Sequence, residues 1–166
     1  KAIIYKKELL REVIKKKITL IDYENLRDVS GEGYRYLGFG RFAGIVGTYN
    51  TLNLYLKLFN EKSLSRAFEI NNYEQIKKII NKQNFNKIKI LLTGSGRASK
   101  GAIEMLEHAN IKQVSINDYL NKKYNEAIFS NISPKDYIER KNDNDISKVK
   151  NYLFDTDIFI ACHYWD

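Results

Sequence analysis

The segment that most constrains this chain is Lys87-Ile-Lys-Ile-Leu-Leu-Thr93, which runs straight into Gly94-Ser-Gly-Arg-Ala-Ser-Lys-Gly101. The first part alternates and then becomes wholly apolar, as a strand does when it enters a sheet. The glycine cluster is turn chemistry, because glycine reaches positive φ at no steric cost. Residues Ala102–Ala109 follow, with Ile103 and Leu106 on one helical face. Lys112–Ile116 reads as a second strand, Asn117 to Asp145 as a polar, irregular connection longer than most, Ile146–Phe154 as a short helix, and Asp157–Trp165 as a terminal apolar strand. The order β-α-β-(long connection)-α-β predicts a parallel sheet with right-handed crossovers.

Upstream, Leu9, Leu10, Val13 and Ile14 predict a helix over residues 6–17, closed by Lys15, Lys16 and Lys17, cations that suit a helix C-terminus. Ile18 to Ile21 is a short strand run, Asp28–Gly33 a turn, and Tyr34–Leu37 the returning strand. Gly40, Gly44 and Gly47 lie at i, i+4 and i+7, leading into Thr48–Asn60. Glycine in a helix interior costs up to about 1 kcal/mol relative to alanine. Three on one face therefore predict a very close neighbour: another helix, a strand or a ligand, with helix packing the first choice. Asn72 is placed to cap a helix from Tyr73 to Lys82, with Ile76, Ile79 and Ile80 inward.

Gly94-Ser-Gly-Arg-Ala-Ser99 matches G-x-G-x-x-G in two of its three glycines, in the strand–turn–helix context that gives that pattern its meaning. There the first glycine makes the turn, the second lets backbone approach a diphosphate, and the third allows close packing. Free N–H groups and the helix dipole hold the anion. Ser99 stands where the third glycine would be, so the match is partial. Arg97, in the first turn, adds a cation, or is a surface arginine. The pattern also wants an acid about 20 residues on, at a strand tip, to accept from ribose hydroxyls. Asp118 and Asn117 stand just past Ile116, or simply open a loop. An acid there favours NAD, with NADP not excluded.

The 28 Lys+Arg against 20 Asp+Glu give a net charge of +8, which invites a nucleic-acid reading. The lysines argue otherwise: they end helices, line wet helix faces, or alternate with Asp and Glu. The expectation is no nucleic-acid partner. One Cys rules out a disulfide framework, and neither His has a metal-ligand partner at useful spacing, so no metal is expected. No apolar run approaches the roughly 18 residues of a membrane span, and no signal peptide is visible, so the expected location is cytoplasmic, away from membranes. Cys162, alone on an apolar strand, reads as a small core residue. His163 faces the opposite side, and His108 ends a helix. The chain begins at Lys1 and stops at Asp166 directly after a strand that reads as buried, so it is expected to be a fragment.

Four blocks occur in order and spacing that are recognisable together: Thr19-Leu-Ile-Asp-Tyr-Glu-Asn-Leu26, Gly33-Tyr-Arg-Tyr-Leu-Gly-Phe-Gly-Arg-Phe-Ala-Gly44, Gly96-Arg-Ala-Ser-Lys-Gly-Ala102 and Asp157-Ile-Phe-Ile-Ala-Cys-His-Tyr164. Over nearly its whole length the chain resembles the middle of NAD-dependent, lysine-forming saccharopine dehydrogenase, and more remotely alanine dehydrogenase and the NAD domain of transhydrogenase. The resemblance implies an α/β architecture. Residues 1–41 would be part of a substrate domain, 42–60 a linking helix, and 61–166 a truncated Rossmann-like NAD(P)-binding parallel sheet. It implies hydride transfer between a nicotinamide cofactor and saccharopine or a related amino acid, with an amino-acid or 2-oxo-acid substrate as partner. The family's catalytic Lys and His belong to an N-terminal segment not found here, so the fragment alone is expected to be inactive.

By the same resemblance, Glu24 would tune the pKa values of the catalytic pair. Arg35 would hold a substrate carboxylate and Phe39 would line the substrate. Gly96 and Arg97 would form the cofactor turn and Tyr164 would lie beside the nucleotide, while Gly94 and Asp118 enter the candidate cofactor site from the glycine pattern itself. Tyr34 falls where the family has an arginine near the cofactor, a departure that bears on that contact and on the substrate. Two other readings stand beside this one: an alanine dehydrogenase-like enzyme, and a non-catalytic nucleotide-binding regulatory module.

Overall fold

The computed structural model describes residues 6–27, 37–59, 62–137 and 149–163. These fall into two units, within Lys1–Gly38 and Phe39–Asp166.

In the first unit, helix α1 (Lys7–Lys15) forms where the leucine and isoleucine spacing predicts it. It ends with Lys17 at φ 50, while the Lys17 and Ile18 amides donate to Ile14 and Val13 carbonyls at 3.0 and 3.1 Å. These two hydrogen bonds satisfy two carbonyls left over at a helix end. Leu9 and Ile14 are exposed, and α1 buries none of its residues. The strand expected over Ile18–Ile21 is not there: Ile18, Leu20 and Ile21 are all exposed, so no buried side imposes a two-residue period. A 3-10 turn covers Tyr23–Asn25. The turn 28–33 and most of the returning strand lie outside the described residues.

The second unit is a sheet covered on both faces. Its elements are α2 (Gly40–Phe59), α3 (Tyr73–Asn81), β1 (Lys89–Thr93), α4 (Arg97–His108), β2 (Lys112–Gln113), α5 (Ile116–Asn121), β3 (Ile128–Ile132), α6 (Pro134–Tyr137), α7 (Val149–Leu153) and β4 (Ile158–Ala161). Asn72 caps α3 as expected, its Oδ1 accepting the Gln75 amide at 3.0 Å. Helix α4 begins at Arg97, earlier than the Ala102 that the isoleucine and leucine spacing suggests, because Gly96 already stands at its cap.

The strands are parallel, in the order β2-β3-β1-β4. This corrects the reading of 117–145 as irregular. Ser115 Oγ accepts the Asp118 amide at 3.1 Å, which stops β2 early and opens α5. The chain then returns as β3, a buried strand lying between β2 and β1.

Alternation along the strands divides the core. Ile90, Leu92, Phe129, Ile158 and Ile160 face α2, α3 and α4, which contribute Ile45, Tyr49, Leu52, Ile80 and Met105. Leu91, Ile128 and Ile132 face the other way, toward Tyr119 of α5 and half-buried Val149 and Tyr152 of α7. The connection β1 to β2 runs one way across the sheet with α4 on the first face. The connections β2 to β3 and β3 to β4 run the other way, with α5 and α7 on the second. One constant crossover hand gives that distribution.

Helices α2 and α4 meet at backbone distance. A Cβ on Gly44 would stand 1.9 Å from the Ala98 carbonyl oxygen, and one on Gly101 2.0 Å from that of Arg41. Close helix packing therefore explains Gly44. Gly40 meets the Arg97 side chain at 3.1 Å by the same measure, whereas Gly47 has no neighbour within 4 Å. The contact is locked by Arg41, which donates to both Glu104 oxygens at 2.8 and 2.6 Å, and by the Tyr73 hydroxyl on the same carboxylate. Beyond α2, residues 62–66 have no regular structure, yet Asn53 exchanges two bonds with the Leu64 backbone at 3.0 and 2.8 Å, and the Tyr49 hydroxyl donates to the Ser65 carbonyl at 2.8 Å.

Candidate functional site

In an open α/β sheet, the ligand crevice lies beyond the carboxyl ends of the strands, where neighbouring strands send their chains to opposite faces. Here those neighbours are β1, which exits to α4, and β3, which exits toward α7 on the other face. The glycine turn sits at the tip of β1, where those two paths diverge.

Each glycine of the turn has its own task. Gly94 is buried at φ 113, a conformation that a residue with a Cβ rarely adopts. Its amide donates to the Ile132 carbonyl at 3.0 Å, so it extends the sheet and is spent on protein. A Cβ there would also stand 2.5 Å from the Cys162 carbonyl oxygen. Gly96 is the opposite case: exposed, with nothing within 4 Å of where a Cβ would be. It stands at the cap of α4 without a side chain to bond the first helical amides. Those amides and the positive end of the helix dipole make an anion-binding end of helix. Arg97, exposed, is the first helical residue. The close-packing task that the motif gives its third glycine is done at Gly101, against α2.

Other side chains surround the turn. The Thr93 hydroxyl, buried, lies 2.6 Å from His163 Nδ1, tying the tip of β1 to the end of β4. Cys162 is half-buried and packs against the core; burial raises its thiol pKa, which fits a packing residue and not a nucleophile. At the clamp, hydrogen bonding to Arg41 first, and to Tyr73 second, holds the Glu104 carboxyl below its ordinary range. Burial, then that carboxylate, pushes the Tyr73 hydroxyl up. This network sets the position of α4, and through it the turn.

Beyond the tips of β2 and β3 lies a cavity of about 510 Å³. Val114, Ile116, Ile132 and Tyr152 contribute apolar surface, but most of the lining is polar, from residues such as Ser115, Asn131, Lys135 and Asp136. Asp136 Oδ2 accepts the Ser133 amide at 2.7 Å.

The structure thus brings Gly94, Gly96 and Arg97 together. Phe39 is exposed and immediately precedes Gly40, whose backbone abuts Arg97. Asp118 is not at a strand tip. It sits in the first turn of α5, its Oδ1 3.0 Å from Lys122 Nζ. Glu24 lies in the 3-10 turn of the first unit, its side chain outside the description. Tyr34, Arg35 and Tyr164 lie outside the described residues. Missed from the sequence were the Thr93–His163 pair, the Arg41–Glu104–Tyr73 clamp and the whole tip of β3. For the last, the signal was Ala127-Ile-Phe-Ser-Asn-Ile132, a β-rich run before a Ser-Pro turn. Among the described residues no group of three or more His, Cys, Asp or Glu side chains is placed to hold a metal ion. No described helix is long and apolar enough to cross a membrane.

No protein-family model matches the chain. It is similar to the alpha-aminoadipic semialdehyde synthase, mitochondrial, of Bos taurus, with 29% identity covering 95% of this chain and 21% of that protein. The protein of the same name from Rattus norvegicus is 30% identical over 70% of this chain and 15% of its own length. The chain spans about a fifth, or less, of the length of these curated relatives. At that level of identity they support a likeness to the saccharopine dehydrogenase-like family.

Proposed function

We propose that this chain is the nucleotide-binding part of a saccharopine dehydrogenase-like oxidoreductase of lysine metabolism, and that it binds NAD. One observation carries the reading: the open Gly96 turn, with uncapped α4 amides, at the point of the sheet where neighbouring strands diverge. The similarity to alpha-aminoadipic semialdehyde synthase supports the same class. The diphosphate would rest on the amides that follow Gly96, with Arg97 as counter-charge. Bound NAD supplies the hydride chemistry, and this chain's share is to hold and orient the dinucleotide. The amino-acid partner, saccharopine or a relative of it, would be met by residues such as Arg35 and Phe39.

Calorimetric titration of the chain with NAD and NADP tests this. Saturable binding to the wild type is expected, weakened at least tenfold by Gly96→Ala, whose added methyl would stand where the diphosphate lies, while the loss of stability at this cap position stays within about 1 kcal/mol. No binding of either nucleotide, together with steeply salt-dependent DNA binding, would overturn the reading.

A further inference from the structure

The tips of β1 and β4 are joined by a side-chain bond that the glycine pattern does not ask for. Thr93 ends β1 and pairs with Ala161 across the ladder. Side chains two apart on a strand share a face, so His163 leaves β4 on the face that Thr93 occupies. Its Nδ1 lies 2.6 Å from the Thr93 hydroxyl. Thr93 is fully buried, so its hydroxyl depends on the protein for its bonding.

Three ties meet around the peptide that joins Thr93 to Gly94. The Cys162 amide donates to the Thr93 carbonyl at 3.0 Å, and the Gly94 amide donates to the Ile132 carbonyl at 3.0 Å. Both are backbone bonds, open to almost any sequence. The third, between His163 and Thr93, is made by side chains and so is a choice of this sequence. Directly after it the backbone takes φ 113 at Gly94 and turns into α4.

Resting on the nucleotide reading above, we infer that His163 is a positioning residue of that site. Through the Thr93 hydroxyl it fixes the peptide from which the glycine turn departs, and so holds the first amides of α4 in the geometry a diphosphate needs. Without it the buried hydroxyl loses a partner, a cost the chain relieves by rotating Thr93 or shifting the turn. A turn that can shift has to be ordered by its ligand, and binding weakens accordingly.

The test is a double-mutant cycle of His163→Leu and Thr93→Val in the 166-residue chain. Each variant is titrated with NAD and melted, with circular dichroism confirming the fold. Each single change should weaken NAD about fivefold, as loss of one hydrogen bond does. The double should lose no more than the worse single, because both delete the same bond. His163→Asn, whose side-chain amide can stand where Nδ1 does, should recover most of what His163→Leu loses. If the single variants lower the melting temperature but leave NAD affinity within about twofold, the pair only holds the fold and the inference fails. It fails equally if the two losses multiply in the double, or if His163→Asn binds as weakly as His163→Leu. Should His163→Leu not fold, Thr93→Val compared with Thr93→Ser, which keeps the hydroxyl, decides by the same loss of affinity. If the wild type binds no nucleotide, the nucleotide reading falls first and takes the positioning role with it.

Discussion

On one face of the sheet, three helices bury Ile45, Tyr49, Leu52, Ile80 and Met105 against Ile90, Leu92 and Phe129. On the other, among the described residues, Tyr119 is the one buried helical side chain set against Leu91, Ile128 and Ile132, with Val149 and Tyr152 half covered. The first face is closed by backbone-to-backbone contact and by a two-pronged arginine–carboxylate clamp. The second is closed by a short helix and an aromatic ring. Tyr119 does several jobs there: its ring lies 4.5 Å beneath Lys89 Nζ, and its hydroxyl shares a 2.7 Å bond with Thr156. Burial pushes that hydroxyl's pKa up to about 12. The glycine turn rises from the first face, as the start of α4.

The contrast can be broken at three points. The largest effect is expected from Gly44→Ala, whose new methyl would collide with backbone that no rotamer change can move. A loss of about 3 kcal/mol or more is expected in urea unfolding; unchanged stability would mean that α2 and α4 are not in contact as described. Next is Glu104→Gln, which should cost about 1–2 kcal/mol, the value of charged hydrogen bonds moderated by partial exposure. Because the folded-state pKa of Glu104 is depressed, its stabilisation is complete above the ordinary carboxylate range and is lost as pH falls through the folded value. The variant should therefore unfold with a shallower acid limb than the wild type, and parallel limbs would remove the clamp from the account. The smallest effect, about 1 kcal/mol, is expected from Tyr119→Phe, which deletes one buried bond and keeps the ring. Should it exceed Glu104→Gln in thermal melts, the second face is the stronger one.

Much of the unit Phe39–Asp166 was legible from local chemistry. Asn72 caps where its side chain and the isoleucine spacing say it should, β1 is apolar where it enters the sheet, and Gly44 marks a close contact. What local chemistry does not carry is which strands are neighbours. β3 was overlooked because Ser130 and Asn131 interrupt its apolar run, though Ser130 is satisfied by the Val114 carbonyl at 3.1 Å across the sheet. The pair Ser115 and Asp118 was readable as a helix start, and reading it so would have taken Asp118 off the strand tip. The turn residues Gly94, Gly96 and Arg97 were legible because their task is local. The Thr93–His163 pair was not, because it is created by strand pairing across 70 residues of chain.

The stretch 62–66, nailed to α2 at Asn53 and Tyr49, has one further consequence. A protease must draw several residues into an extended form in its own cleft before it can cut, so a segment whose N–H and C=O groups are already engaged is a poor substrate however irregular its path. Digestion should therefore spare this stretch, so that α2 stays joined to the sheet it covers through the chain as well as through its packing.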